Sequence, residues 1–125
     1  MDWMDASEFA EIVMEVLEDL PDEFRQRMEN VEIEIRDWPG REEREQAGVP
    51  PGQTLFGLYQ GIPLTERGHG YNLVLPDRII LFRGPIMRAG GTRAGVRRQI
   101  RRTLLHEIAH HFGISDERLR ELDAY

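Results

Sequence analysis

The run His106-Glu107-Ile108-Ala109-His110 limits what this chain can become, because its polar residues converge only on a helix. At about 3.6 residues per turn, positions i and i+4 lie about 40° apart around the axis, so His106 and His110 project from one face, one turn apart. Two imidazoles so placed can share one metal ion. Glu107 lies about 100° round from His106, too far to be an equal ligand but able to reach a water on the metal's open side, where a general base belongs. Gly113 is suited to end the helix, since it takes the left-handed conformation without a Cβ penalty. The chain then turns back and brings Asp116 toward the ion as a third, oxygen-donating ligand, leaving a fourth position for water, as a catalytic zinc centre requires. The chain contains no cysteine, so one Zn(2+) ion would be held by histidine and carboxylate alone.

Other roles compete at each position. His106, Glu107 and His110 could be ordinary polar residues of an exposed helix face. Ser115 or Asp116 could cap a last helix through Leu119 and Leu122, and a cap at Ser115 leaves Asp116 available as a ligand. Glu117, Glu121 and Asp123 are the fallback carboxylates. His111 points about 140° away from His106, toward the buried side or its edge, and reads as structural. His69, in a loop between two glycines, Tyr71 and Tyr125 are candidate hydrogen-bond donors to a developing oxyanion.

The pattern HExxHxxGxxD resembles that of the zincin metallopeptidases, and specifically the metzincin-type arrangement with aspartate in place of the usual third histidine. Unlike in the large metzincins, a Met-turn downstream of the motif is not expected. The runs Leu58 to Gly68, Leu75 to Ile79 and Arg97 to Arg102 are similar to those of a family of small bacterial zincin-like metallopeptidases of minimal size. The resemblance spans roughly the C-terminal two-thirds of the domain. It implies a compact α+β zincin fold and peptidase activity, with no particular substrate. It also implies a sheet-edge strand along the cleft that pairs with the substrate backbone, here around Leu55 to Gln60 or Ile79 to Phe82.

Bulk properties suit that reading. At 125 residues the chain is expected to form one domain, 1–125, with 40% hydrophobic and 31% charged residues, the balance of a soluble globular protein. With no early basic and apolar leader and no membrane-length apolar run, a cytoplasmic monomer away from membranes is expected. The net charge is -7 and every basic residue is arginine. Arg88, Arg93, Arg97, Arg98, Arg101 and Arg102 crowd the approach to the motif. An acidic chain without interleaved aromatics disfavours nucleic acid as a partner, so these arginines are expected to pair with the acidic N-terminal helices. Recognition of acidic substrate residues near the cleft is the other option.

The hydrophobic pattern predicts an α+β fold. A first helix starts at Ser7 and carries Phe9, Ile12, Val13, Val16, Leu17 and Leu20, and a short second helix follows Pro21 with Phe24 and Met28 inward. Val31 to Arg36 alternates as a half-buried strand, Trp38 to Gln53 reads as a long surface loop, and Thr54 to Tyr59 is a second strand. Asn72 to Leu75 and Arg78 to Arg83 complete a small, mostly antiparallel sheet of three or four strands, ended by Gly84-Pro85. After Gly90-Gly91-Thr92 comes the long motif helix, with Ile100, Leu104, Leu105, Ile108 and Phe112 on its core side. The function expected is a zinc metallopeptidase acting on a peptide or protein substrate. A non-catalytic metal-binding module and an arginine-rich adaptor for an acidic or nucleic-acid partner are the alternatives.

Overall fold

The computed structural model describes residues 3–61 and 76–124. Helix α1 (Ala6–Asp19) starts slightly ahead of the expected Ser7, because Asp5 is the cap and its carboxylate accepts the Glu8 N–H at 2.9 Å. Its buried residues Phe9, Ile12, Val13 and Val16 recur at helical spacing. Pro21 precedes α2 (Asp22–Arg27), which buries Phe24. Strand β1 (Val31–Arg36) turns Val31, Ile33 and Ile35 toward the core, as its alternation predicts.

The segment expected to be a loop from Trp38 to Gln53 contains a helix, α3 (Arg41–Ala47). It buries no residue, so it leaves no apolar period in the sequence. Local chemistry holds it: Glu42 and Glu43 lie in the first turn, and Arg41 pairs with Glu45 one turn on at 3.0 Å. Strand β2 (Gly57–Gln60) starts later than the expected Thr54, and β3 spans Asp77–Phe82. The expected strand at Asn72 to Leu75 lies outside the described residues.

The sheet has the order β1-β3-β2. It is mixed rather than mostly antiparallel: β1 runs parallel to β3, with Val31 opposite Asp77, while β2 runs antiparallel, with Gly57 opposite Leu81. The centre falls to β3 because its apolar run supplies both faces. Ile79 and Leu81 join the main core, and Ile80 and Phe82 join a smaller cluster with Leu55 and Leu58.

Gly84-Pro85 ends β3 by starting a helix, α4 (Arg83–Gly90), where proline sits in the tolerated first turn. The long helix α5 (Arg93–Phe112) is capped by the Thr92 hydroxyl, which accepts the Gly95 N–H at 3.0 Å. It buries Val96, Ile100, Leu104, Leu105 and Ile108 completely. Phe112, expected in the core, is instead 38% exposed, with its ring under the Arg27 guanidinium. Gly113 ends α5 in the left-handed conformation (φ 73°), as expected, and α6 (Asp116–Glu121) follows. Among the described residues no helix is long and apolar enough to cross a membrane.

Arginines of α5 pair with the acidic first helix, as anticipated: Arg93 with Glu15 at 3.2 Å and Arg97 with Asp19 at 2.6 Å. These pairs are solvent-exposed and contribute little beside the core. Leu104→Ala is therefore predicted to cost about 2–5 kcal/mol in urea unfolding. Arg97→Ala should cost no more than about 1 kcal/mol. The reverse order would show that ion pairs, not burial, hold α5 in place.

Candidate metal centre

Three residues on one stripe of α5 dock on β2. Thr103 packs its methyl over Gly57, where an added Cβ would lie 2.7 Å from it. One turn on, Glu107 Oε1 accepts the Tyr59 N–H at 2.8 Å. One turn further, the His111 ring stacks on the Tyr59 ring, with centroids 3.8 Å apart and planes 14° apart. The i, i+4, i+8 spacing of these residues follows directly from helix geometry. His111 is thus a packing residue, as expected, although exposed at its edge and 3.9 Å from Asp77. Tyr59 also donates its hydroxyl hydrogen to Asp77 at 2.8 Å.

Among the described residues no strand pairs with the outer side of β2, which leaves the Tyr59 amide to Glu107. Phe56 O accepts from Phe82 N, so residues 56, 58 and 60 face β3 and residues 57 and 59 face outward. Of the two strands considered for the cleft edge, β2 lies at the edge of the sheet among the described residues and β3 is central.

His106 and His110 sit on the neighbouring stripe, as their spacing requires. Their ring centroids are 5.9 Å apart and their planes perpendicular. Together with Glu107 they line a recess of about 230 Å³, walled by Thr54, Leu55 and Phe56 on one side and by Gln99, Arg102 and Thr103 on the other.

Burial, first of all, holds the His106 pKa below the usual histidine value; a hydrogen bond to the Ala124 backbone opposes this, and the positive charges of His110 and Arg102 add to it. His106 therefore favours the neutral form, the form that ligates metals. A backbone carbonyl on one ring nitrogen is the usual way to fix a metal-binding histidine and present its other nitrogen. Glu107 is pushed above the usual carboxylate range, chiefly by burial; the Tyr59 amide and His110 pull it back in part.

The histidine pair thus suits a zinc ion in donor type, and His106 suits it also in its neutral form and in its backbone-held ring. The third donor is less advanced. Ser115 caps α6 by accepting the Arg118 N–H at 3.1 Å, which leaves the Asp116 carboxylate uncommitted to the cap. Asp116 is close enough for its charge to favour protonated His106, yet it does not line the recess. Among the described residues, no three histidine, cysteine, aspartate or glutamate side chains converge closely enough to hold a metal ion. The fallback Glu121 is engaged by Arg118 at 2.9 Å. His69, Tyr71 and Tyr125 lie outside the described residues. The sequence reading missed the clamp of Tyr59 on Glu107, although Thr103, Glu107 and His111 carry the helical spacing that could have signalled a docking stripe.

The zincin-like metallopeptidase family matches the sequence over residues 28–125. Among solved structures, the chain is similar to a conserved hypothetical protein from Thermo thermophilus, with a TM-score of 0.56 and 18% identity over 87% of this chain and 94% of that one. That likeness concerns the fold. No curated protein matches the sequence. The family match spans the sheet, the motif helix and every residue of the candidate centre, and the chain belongs to the zincin-like metallopeptidase family.

Proposed function

We propose that this protein is a zinc-dependent peptidase whose metal is held by His106, His110 and Asp116 and whose general base is Glu107. The observation that carries the reading is the pairing of His106 and His110 in one recess with Glu107, whose pKa is raised by burial and which holds the outward Tyr59 amide of β2. Zinc bound there would supply Lewis acidity, polarising a carbonyl and acidifying water.

The chain's own residues account for the rest of the chemistry. Glu107 takes a proton from the attacking water and returns it to the departing amine nitrogen; a carboxyl group whose pKa is raised by burial does both more readily than an ordinary one. Residues 57 and 59 offer outward backbone groups to which an extended peptide can add as a further strand. Such a peptide competes with Glu107 for the Tyr59 amide and so frees the carboxylate as it binds. Asp116 reaches the ion by a side-chain or α6 adjustment, which the uncommitted carboxylate permits.

A second reading, a non-catalytic metal-binding module, is favoured by one observation: Glu107 is tied to the strand as a strut between α5 and β2. Peptide-library cleavage by the zinc-loaded protein separates the two. Glu107→Gln is predicted to retain zinc while cleavage falls by about 10² to 10⁴. Cleavage unchanged by that substitution rules out Glu107 as the base, and absence of cleavage by the wild type supports the module.

The raised pKa of Glu107 has a consequence for stability. The folded protein holds that proton more tightly than the unfolded chain, so stability is lost as pH rises through the folded-state value and no loss occurs below the unfolded-state value. Glu107→Gln removes the ionisation yet keeps an oxygen for the Tyr59 amide. In metal-free protein it is predicted to unfold at a higher temperature than wild type at neutral pH, with the gain vanishing in acid. A gain independent of pH would contradict the assigned cause.

A further inference from the structure

A larger recess, of about 410 Å³, adjoins the metal recess, and Thr54, Leu55 and Phe56 line both. Its remaining walls include Trp38, Arg44 and Arg88, and no acidic residue lines it among the described residues. Trp38 is set firmly in place: its indole packs on Gly84, where an added Cβ would collide with the ring. The Arg88 guanidinium lies over that indole, 5.0 Å from the ring centroid. Arg44 is held by neutral acceptors, donating to the Gln53 carbonyl at 2.6 Å and to the Pro50 carbonyl at 3.3 Å.

The charges of this pair are uncompensated. Neither Arg44 nor Arg88 has a carboxylate within ion-pair distance among the described residues, whereas Arg36, Arg83, Arg93 and Arg97 all do. Arg27, Arg98, Arg101 and Arg102 are likewise without such a partner among the described residues, and Arg44 and Arg88 are the two that share this recess with the apolar wall of Trp38, Leu55 and Phe56. Arg102, on the wall of the metal recess, extends the same positive lining.

We propose that this recess binds a carboxylate of the peptide substrate, with Arg88 and Arg44 as its cationic donors and Trp38, Leu55 and Phe56 covering the apolar part of the same residue. Planar guanidinium groups suit a carboxylate in geometry and charge. The volume accommodates a side chain of any size. The inference rests on the peptidase reading, since it gives that same site an acidic substrate class. The carboxylate can come from an internal glutamate or from a peptide C-terminus.

The test measures binding of three fluorescein-labelled peptides to the zinc-loaded Glu107→Gln protein. One carries a central glutamate and an amidated end, one a central glutamine and an amidated end, and one a central glutamine and a free C-terminal carboxylate. At least one carboxylate peptide is expected to bind about tenfold or more tightly than the neutral one. Preference for the glutamate peptide assigns the side chain as the source, and preference for the free acid assigns the terminus. Arg88→Met should bring the ratio of carboxylate-peptide to neutral-peptide affinity close to one, and Arg88→Lys should restore part of it. Equal affinity for all three peptides, no binding by any, or a preference that survives Arg88→Met overturns the proposal. The readout is binding, so a carboxylate preference without wild-type cleavage defeats only the peptidase reading. Wild-type cleavage without the preference defeats only the carboxylate recess.

Discussion

Burial of one face of α5 sets the geometry on which the candidate centre depends. Ile100, Leu104, Leu105 and Ile108 are fully buried, packed in one core with Ile79 and Leu81 of β3 and with the apolar stripe of α1. A helix with four such residues on one side has little freedom to rotate about its axis, since any turn would expose apolar area worth about 25 cal/mol per Å². That rotation decides where the motif points. With it set, Glu107 meets the edge of β2, and His106 and His110 open into the adjoining recess. The same helix serves as core element and as platform for the candidate ligands, and the sheet supplies the amide that holds Glu107, the proposed base.

The electrostatics of the centre follow from the same packing. Taking water away from Glu107 disfavours its charge, and taking it away from His106 does the same, so a carboxyl and an imidazole side by side are both pushed toward neutrality. For an ordinary surface this is a cost. At a metal centre it is suitable preparation, because a neutral imidazole ligates and a more basic carboxylate accepts a proton. The hydrogen bond from His106 to the Ala124 backbone also links the motif helix to the segment after α6. The turn at Gly113 and the cap at Ser115 therefore bear on the orientation of a ligand as well as on the course of the chain.

What was legible in the sequence was whatever repeats with a period or is forced by a single residue. The stripe of α1, the alternation of β1, the apolar run of β3 and the stop at Gly113 each state their structure locally. α3 was not legible, because a helix that buries nothing has no stripe. α4 was hidden by Gly84-Pro85, a pair that reads as a break and here starts a helix. The parallel pairing of β1 with β3 depends on the path of the chain between them rather than on the pattern of either strand. Phe112 shows the limit of the helical wheel: it has the right angle for the core, but at the last position of α5 it meets the Arg27 guanidinium and the edge of Tyr59 and stays 38% exposed. In the candidate centre the histidine pair was legible because i and i+4 settle it. The position of Asp116 depends on a turn and a short helix, where small angular differences move a carboxylate by several ångströms.

The central claim is that His106 and His110 bind one zinc ion together. X-ray absorption at the zinc edge of the loaded protein tests it most directly, because imidazole ligands leave a distinctive outer-shell scattering pattern. One zinc per chain is expected, in a site of four light-atom ligands, two of them imidazoles, with one imidazole lost in His110→Ala. A chain that takes up no zinc, or one whose zinc spectrum is the same in His110→Ala, would contradict it.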